Sequence, residues 1–307
     1  MADATGRGQA LSSSPPPGFH GGRMTTTGEV AVTVRVRNLE PTLAGEVEGV
    51  SLHDELDAAT VAQVRQALLE RKVLVFREQN ITPDELVRFT RYLGEPFRRD
   101  HGYAGPSTFG ENPYVGKVGP SPVGEREGGT WHLGGTWQEH PIIFELLQLC
   151  VVPPVGGPTL FADMQAAYRG LSTPLQTMLR GIDAAHSTQT TPSGRKAGAL
   201  DTFDPDTFVA HPVVIEHPET GQPGLYLTSR ITHLIGIPRN ESAAILAFLR
   251  AHASDAQFQY RHRWMPGDLV VWDNRSCWHA AVDDYGDQER WGFKTGVLGG
   301  DWRPSAP

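Results

Sequence analysis

What most constrains the fold of this chain is a series of short apolar runs recurring at wide intervals. Val73-Leu74-Val75-Phe76 is the first continuous run, Phe144 to Val152 is longer, and Gly267–Trp272 and Gly292–Leu298 follow near the far end. Upstream, Val30, Val32, Val34 and Val36 alternate with Ala31, Thr33, Arg35 and Arg37, the period of a half-buried strand. Helical patterns lie between these runs. Residues 55–71 set Leu56, Val61, Val64 and Leu68 at helical spacing and end in Arg71-Lys72. Thr82-Pro83-Asp84-Glu85 then opens a helix with Thr as N-cap, Pro in its first position and Glu placed for a capping box, and Gly94 closes it. Further helical stretches are expected over 163–170 and 173–183, and Asn240 is expected to cap a helix carrying Ile245, Phe248 and Leu249 on one face.

Strand-dominated ends with helices packed outside predict a mainly β fold with flanking α-helices, a double-stranded β-helix or distorted jelly roll. Residues 98–130 carry many Gly and Pro and little periodicity, the mark of a functional irregular segment. Residues 186–202 read as a mobile loop. No internal repeat and no linker interrupts 29–307, so that stretch reads as one domain. Residues 1–28, rich in Gly, Ser, Pro and Thr, read as a disordered leader without the apolar core of a signal peptide. Met24 offers an alternative start.

Composition excludes several classes of function. The 27 basic and 35 acidic side chains leave a net charge of −8, which argues against a nucleic-acid polymer as partner. A small anionic ligand is still allowed, because a site needs only a few local cations. No segment approaches the roughly 18 consecutive apolar residues of a membrane helix. The most apolar stretch, Ile142 to Val152, is broken by Glu145 and Gln148. The two cysteines, Cys150 and Cys277, sit in apolar, strand-like surroundings and are expected to be buried free thiols in a reducing cytoplasm. Self-association into a homo-oligomer is left open.

Two stretches carry the chemistry: Thr130-Trp131-His132-Leu133-Gly134-Gly135-Thr136-Trp137 and Trp272-Asp273-Asn274-Arg275-Ser276-Cys277-Trp278-His279. Together they resemble the two metal-binding signatures of the iron(II)/2-oxoglutarate-dependent oxygenases, in the branch around taurine dioxygenase. The resemblance extends over most of the chain from about residue 38. It implies that His132 and His279 are iron ligands. It further implies that Arg290, 11 residues beyond His279, grips the distal carboxylate of 2-oxoglutarate with support from Thr159. Fe(II), 2-oxoglutarate and O2 are the implied cofactors and co-substrates. Thr159 read without the resemblance is a turn residue. The other histidines, among them His20, His186 and His252, are expected to be structural.

This sequence departs from the family pattern at Gly134, where the family has an Asp ligand. Glycine there leaves room beside the metal, and the pattern resembles that of the halogenases of the superfamily, in which chloride fills the opening. The leading expectation is thus a halogenase that chlorinates an unactivated C–H bond, with Gly134 providing the halide position. The alternatives are a hydroxylase with an altered or engineered iron site, and a non-catalytic binder that keeps the fold. Retention of His132, His279, Thr159 and Arg290 together disfavours the last. Lys294, four residues past Arg290, and His101 stand where the family binds a substrate sulfonate, so a small anionic substrate is implied. An adenine deoxynucleotide monophosphate is one candidate, and an amino-acid or other carboxylate is another. Trp137 reads equally well as core or as a surface for substrate stacking.

Overall fold

Alternate residues of the longest strand face two different cores, and that alternation organises the molecule. A computed structural model describes residues 34–99, 108–119, 130–187 and 208–300, all within one compact unit, Val32–Pro307. The expected leader with Met24, residue His101, and most of the expected loop at 186–202 lie outside the described residues.

In chain order the strands are β1 (Arg35–Asn38), β2 (Gly45–Glu48), β3 (Val73–Phe76), β4 (Thr108–Phe109), β5 (Asn112–Val118), β6 (Ile142–Val151), β7 (Thr159–Asp163) and β8 (Asp183–His186). Then follow β9 (Val209–Pro212), β10 (Val214–Glu216), β11 (Pro223–Leu225), β12 (Ile231–Leu234), β13 (Gln259–His262), β14 (Leu269–Asp273), β15 (Cys277–Ala281) and β16 (Trp291–Leu298). The α-helices are α1 (Ala58–Arg71), α2 (Pro83–Leu93), α3 (Met164–Arg169), α4 (Thr173–Leu179) and α5 (Arg239–Ala253). The major sheet runs β1-β2-β3-β14-β6-β16-β5-β4, and a smaller sheet, β13-β7-β15, stacks against it. All pairs in these two sheets are antiparallel except β2 with β3. This is the expected jelly roll.

On β6, Phe144 and Leu146 point outward into a core shared with Phe76, Leu269, Phe293 and Val297 and with Leu68, Leu86 and Phe89 of the first two helices. Leu147 and Leu149 point inward, between the sheets, with Val73, Val75, Val270 and Trp272 against Phe161, Tyr260 and Cys277 of the smaller sheet. Both faces are buried, which is why β3 and β14 read as continuous rather than alternating apolar runs. Glu145 therefore faces inward, and Gln148 faces outward, where it bridges the backbone N–H and carbonyl of Ile81.

Local signals held where short-range chemistry set them. Thr82 and Glu85 form the reciprocal capping box, Pro83 opens α2 and Gly94 ends it. Elsewhere tertiary contacts intervened. The helix expected to start at Asn240 begins earlier, after Pro238, and has no side-chain cap. Its buried residues are Ser242, Leu246, Leu249 and Ala253, while Phe248 is exposed. The Gly- and Pro-rich region 98–130 contains β5, which the absence of periodicity concealed. Only residues 35–38 of the expected first strand pair as β1, with 30–33 outside the described residues. Cys277 is buried but Cys150 is exposed, because it lies at the end of β6 where cover is lost.

One buried ion pair ties the first helical layer to the smaller sheet. Lys72, in the left-handed conformation that ends α1 (φ 64°), donates from Nζ to Asp163 Oδ2 at 2.8 Å and to the Thr42 carbonyl at 3.0 Å. Asp163 ends β7 and caps α3 by accepting from the backbone N–H groups of Gln165 and Ala166. Lys72→Met should leave this fully buried carboxylate uncompensated and lower unfolding stability by about 3–5 kcal/mol. Denaturant unfolding checks this, and a loss below about 1 kcal/mol, the scale of a surface ion pair, would refute it.

Candidate active site

The site begins as a backbone contact. His132 and His279 form an antiparallel bridge outside the regular ladders, with N–H···O distances of 2.9 and 3.3 Å. Directly opposed residues project their side chains to the same face, so the two imidazoles point together into the space between the sheets, ring centroids 4.2 Å apart. One residue earlier on each segment the side chains point the other way, and Trp131 stacks on Trp278 at 5.3 Å. That stack fixes the first motif onto β15 from outside. The His132 ring is oriented by a 2.8 Å contact between Nδ1 and the Thr130 carbonyl. The carbonyl can only accept, so Nδ1 carries the proton and Nε2 keeps its lone pair for a metal. The pKa of His279 is held far below the ordinary imidazole value by burial, by His132 and by Lys294, so it too is neutral. Two imidazoles side by side on one face suit a divalent first-row metal.

The opening expected beside Gly134 is not empty. A Cβ placed on Gly134 would lie 2.6 Å from Glu145 Oε2 and 2.8 Å from Glu145 Cδ. Gly134 does not have the positive φ that its neighbour Gly135 has (70°), so space rather than backbone conformation explains the glycine. Glu145 is 4% exposed, and its Oε2 sits 3.7 Å from His279 Nε2. Asn274 holds it in place. The Trp272 indole N–H donates to Asn274 Oδ1 at 3.0 Å, so the Asn274 amide nitrogen must face the other way. It donates to the Ile142 carbonyl at 3.0 Å and to Glu145 Oε2 at 3.1 Å.

Across the site lies a buried cation. Arg290 immediately precedes β16 and is 4% exposed. Its Nε donates to the Gly157 carbonyl at 2.9 Å and one terminal nitrogen donates to Thr159 Oγ1 at 3.4 Å. Trp264 Nε1 donates to the same hydroxyl at 3.0 Å. Gly157 makes this approach feasible: it has positive φ (64°), and a Cβ on it would lie 3.0 Å from Arg290 Cδ. Burial presses the Arg290 pKa below the ordinary guanidinium value, against the opposing influence of Tyr285. Among the described residues no carboxylate pairs with it. A guanidinium this deep is costly without an anion, and a bound carboxylate would supply one.

Two further cations, Lys294 and Arg99, lie close together. Lys294 opposes Leu147 on β6 while Gly296 opposes Glu145, so Lys294 and Glu145 share the inner face. Lys294 also opposes Gly116 of β5. A Cβ on Gly116 would meet the Arg99 Nε at 3.0 Å, so the Arg99 guanidinium lies over Gly116 beside Lys294. Arg99 is 3% exposed and its Nε and one terminal nitrogen have no partner among the described residues. Trp137 is half-buried beneath the Arg230 guanidinium, 4.1 Å from the ring centroid, and belongs to neither a closed core nor a bare stacking surface. His101 is outside the described residues.

Sequence reasoning did not assign roles to Glu145, Asn274 or Arg99. Glu145 had left a trace as the charge that interrupts the most apolar run, and Asn274 stands inside the second motif. Arg99 had none. If Arg290 anchors a co-substrate carboxylate, Arg290→Ala should weaken 2-oxoglutarate binding by about 3–5 kcal/mol, roughly 10²–10⁴-fold. Calorimetric titration of 2-oxoglutarate into the metal-loaded protein checks this, and unchanged affinity would remove Arg290 from the site.

Comparison with known proteins agrees with this geometry. Residues 35–295 match the family described as taurine catabolism dioxygenase TauD, TfdA family. The chain is 32% identical over 267 residues to the alpha-ketoglutarate-dependent 2,4-dichlorophenoxyacetate dioxygenase of Cupriavidus pinatubonensis, covering 81% of this chain and 92% of that protein. It is 31% identical over 271 residues to an alkylsulfatase of Acinetobacter baylyi, covering 84% of this chain and 82% of the relative. The crystal structure of a taurine dioxygenase from Burkholderia xenovorans superposes with a TM-score of 0.76 at 30% identity, over 89% of this chain and 91% of that one. The chain belongs to the TauD/TfdA family, within the iron(II)/2-oxoglutarate-dependent dioxygenase superfamily.

Proposed function

We propose that this protein is an iron(II)/2-oxoglutarate-dependent oxygenase that hydroxylates a C–H bond of a small anionic molecule. The observation carrying this reading is the buried Glu145 carboxylate at the corner that a halide would have to occupy. A chloride and a carboxylate about 4 Å apart repel by about 4 kcal/mol at an effective dielectric of about 20. That penalty opposes the halogenase expectation raised by Gly134. Relatives named as a 2,4-dichlorophenoxyacetate dioxygenase and a sulfate ester dioxygenase support oxygenation of an anionic substrate.

In this reading His132 and His279 hold the metal and Arg290 with Thr159 anchors the distal carboxylate of 2-oxoglutarate. Lys294 and Arg99 bind the anionic end of the substrate. The metal, with 2-oxoglutarate and O2, supplies the oxidising power: one oxygen atom goes to the substrate carbon, the other to succinate, and CO2 leaves. The protein's part is to hold substrate and co-substrate on the same face of β16. The apolar wall of Phe161 and Trp272, with centroids 6.4 and 4.7 Å from His279, limits water at the reacting centre.

A second reading, chlorination of a substrate such as a nucleotide monophosphate, rests on Gly134 itself. One assay separates the two. The protein is supplied with iron(II), 2-oxoglutarate and O2, and offered sulfonates, sulfate esters, phenoxyacetates and adenine deoxynucleotide monophosphates, with and without chloride. Succinate release and a product heavier by one oxygen, independent of chloride, are expected. A chlorine isotope pattern in the product would overturn hydroxylation and establish the second reading. For whichever substrate reacts, Lys294→Ala and Arg99→Ala should each raise its KM by at least tenfold, about 1.4 kcal/mol, with 2-oxoglutarate affinity near that of the parent. A KM unchanged in both variants would move the anion site elsewhere.

A further inference from the structure

We infer that Glu145, projecting from β6, is the carboxylate ligand of the metal, in place of the side chain missing at position 134. The inference rests on the oxygenase reading above and completes its metal site.

Four features of the structure point to it. The Gly134 Cβ direction runs into the Glu145 carboxylate within 2.6–3.0 Å, so the side chain from β6 fills the place that one at 134 would take. Glu145 Oε2 lies 3.7 Å from His279 Nε2, beyond hydrogen-bond range. With bonds of about 2.1 Å to nitrogen and oxygen, two donors on one ion stand about 3.0–4.2 Å apart, and this pair, at 3.7 Å, falls inside that span. Glu145 is buried, and among the described residues no Lys or Arg stands in ion-pair range of it. A buried carboxylate with no Lys or Arg beside it calls for a cation. Finally, Asn274 donates to Oε2 and is itself held by Trp272 and Ile142, the kind of support that a ligating carboxylate receives. As the side chains stand, no group of three His, Cys, Asp or Glu among the described residues could hold a metal ion. The carboxylate, at the end of a flexible side chain, must therefore swing onto the ion.

A glutamate on a strand within the sheet differs mechanically from an aspartate two residues after the first histidine. It ties the metal to the major sheet, whereas both imidazoles belong to the smaller sheet and the segment bridged to it. The metal then joins the two layers of the jelly roll.

The test is metal binding. Mn(II) affinity of the purified full chain, read by electron paramagnetic resonance, is compared among the parent, Glu145→Gln, Asn274→Ala and the double variant Gly134→Asp/Glu145→Ser. Circular dichroism and thermal unfolding verify that each is folded. Loss of a supporting partner costs about 10–100-fold in metal affinity, so Asn274→Ala should fall in that range and Glu145→Gln should lose at least about 100-fold. The double variant, which returns a carboxylate to position 134, should recover most of the loss. If its fold fails, Glu145→Ala with added acetate replaces it, and partial rescue of Mn(II) binding by acetate is expected. A folded Glu145→Gln that binds Mn(II) within about threefold of the parent overturns the inference. So does parent affinity that rises with chloride concentration. If the metal results hold but the parent makes no succinate from 2-oxoglutarate, the oxygenase reading fails and the ligand assignment stands.

Discussion

Everything at the centre of this molecule depends on two backbone hydrogen bonds between residues far apart in the chain. The antiparallel bridge between His132 and His279 extends the smaller sheet with a segment that has no regular strand of its own. Pairing sets more than proximity. It decides that both imidazoles face inward, and it sends Trp131 and Trp278 outward, where their stacking clamps the bridge. A slip of one residue would put the tryptophans inside and the histidines against the helices. Thr159 lies on β7, which pairs with β15, and Glu145 on β6 approaches His279, so their positions relative to the imidazoles follow from the register of this bridge.

The charges around the bridge form a second pattern. Arg290, Lys294 and Arg99 bring cations to the inner space, two of them nearly inaccessible to water, in a chain whose net charge is −8. These three cations are gathered on one side of the inner space, although the chain as a whole is acidic. Such a site attracts two anions to adjacent positions without making the whole surface attractive to polyanions. Gly157 belongs to the same arrangement, because a residue without Cβ lets the Arg290 stem lie against that turn.

Much of this was legible in the sequence because short-range rules governed it. Thr82, Pro83 and Glu85 specify the start of a helix without reference to the rest of the chain. Val73–Phe76, Leu269–Asp273 and Trp291–Leu298 advertise buried strands through composition alone. His132, His279, Thr159 and Arg290 were singled out by the resemblance to the family's motifs, and the fold brings His132 to His279 and Thr159 to Arg290. What escaped notice depends on contacts between strands. Glu145 looked like an interruption of an apolar run, because nothing in one strand reveals that its inner neighbour is a glycine from another segment. Phe248 looked like core because helical spacing was right, but α5 turns a different face, Leu246 and Leu249, toward its neighbours. Arg99 acquires meaning only through Gly116 and Lys294, which lie on two other elements.

The close approach of Gly134 to Glu145 has a consequence for how such a site can change over evolutionary time. A Cβ at 134 would come within 2.6 Å of the Glu145 carboxylate, so both positions carry side chains only if that carboxylate moves aside. Passage between an aspartate at 134 and a glutamate at 145 therefore has no comfortable intermediate. Introducing the aspartate first crowds two carboxylates into one corner, and removing the glutamate first strips the corner of both. The contact couples the two positions, so a change at one alters what the other can carry.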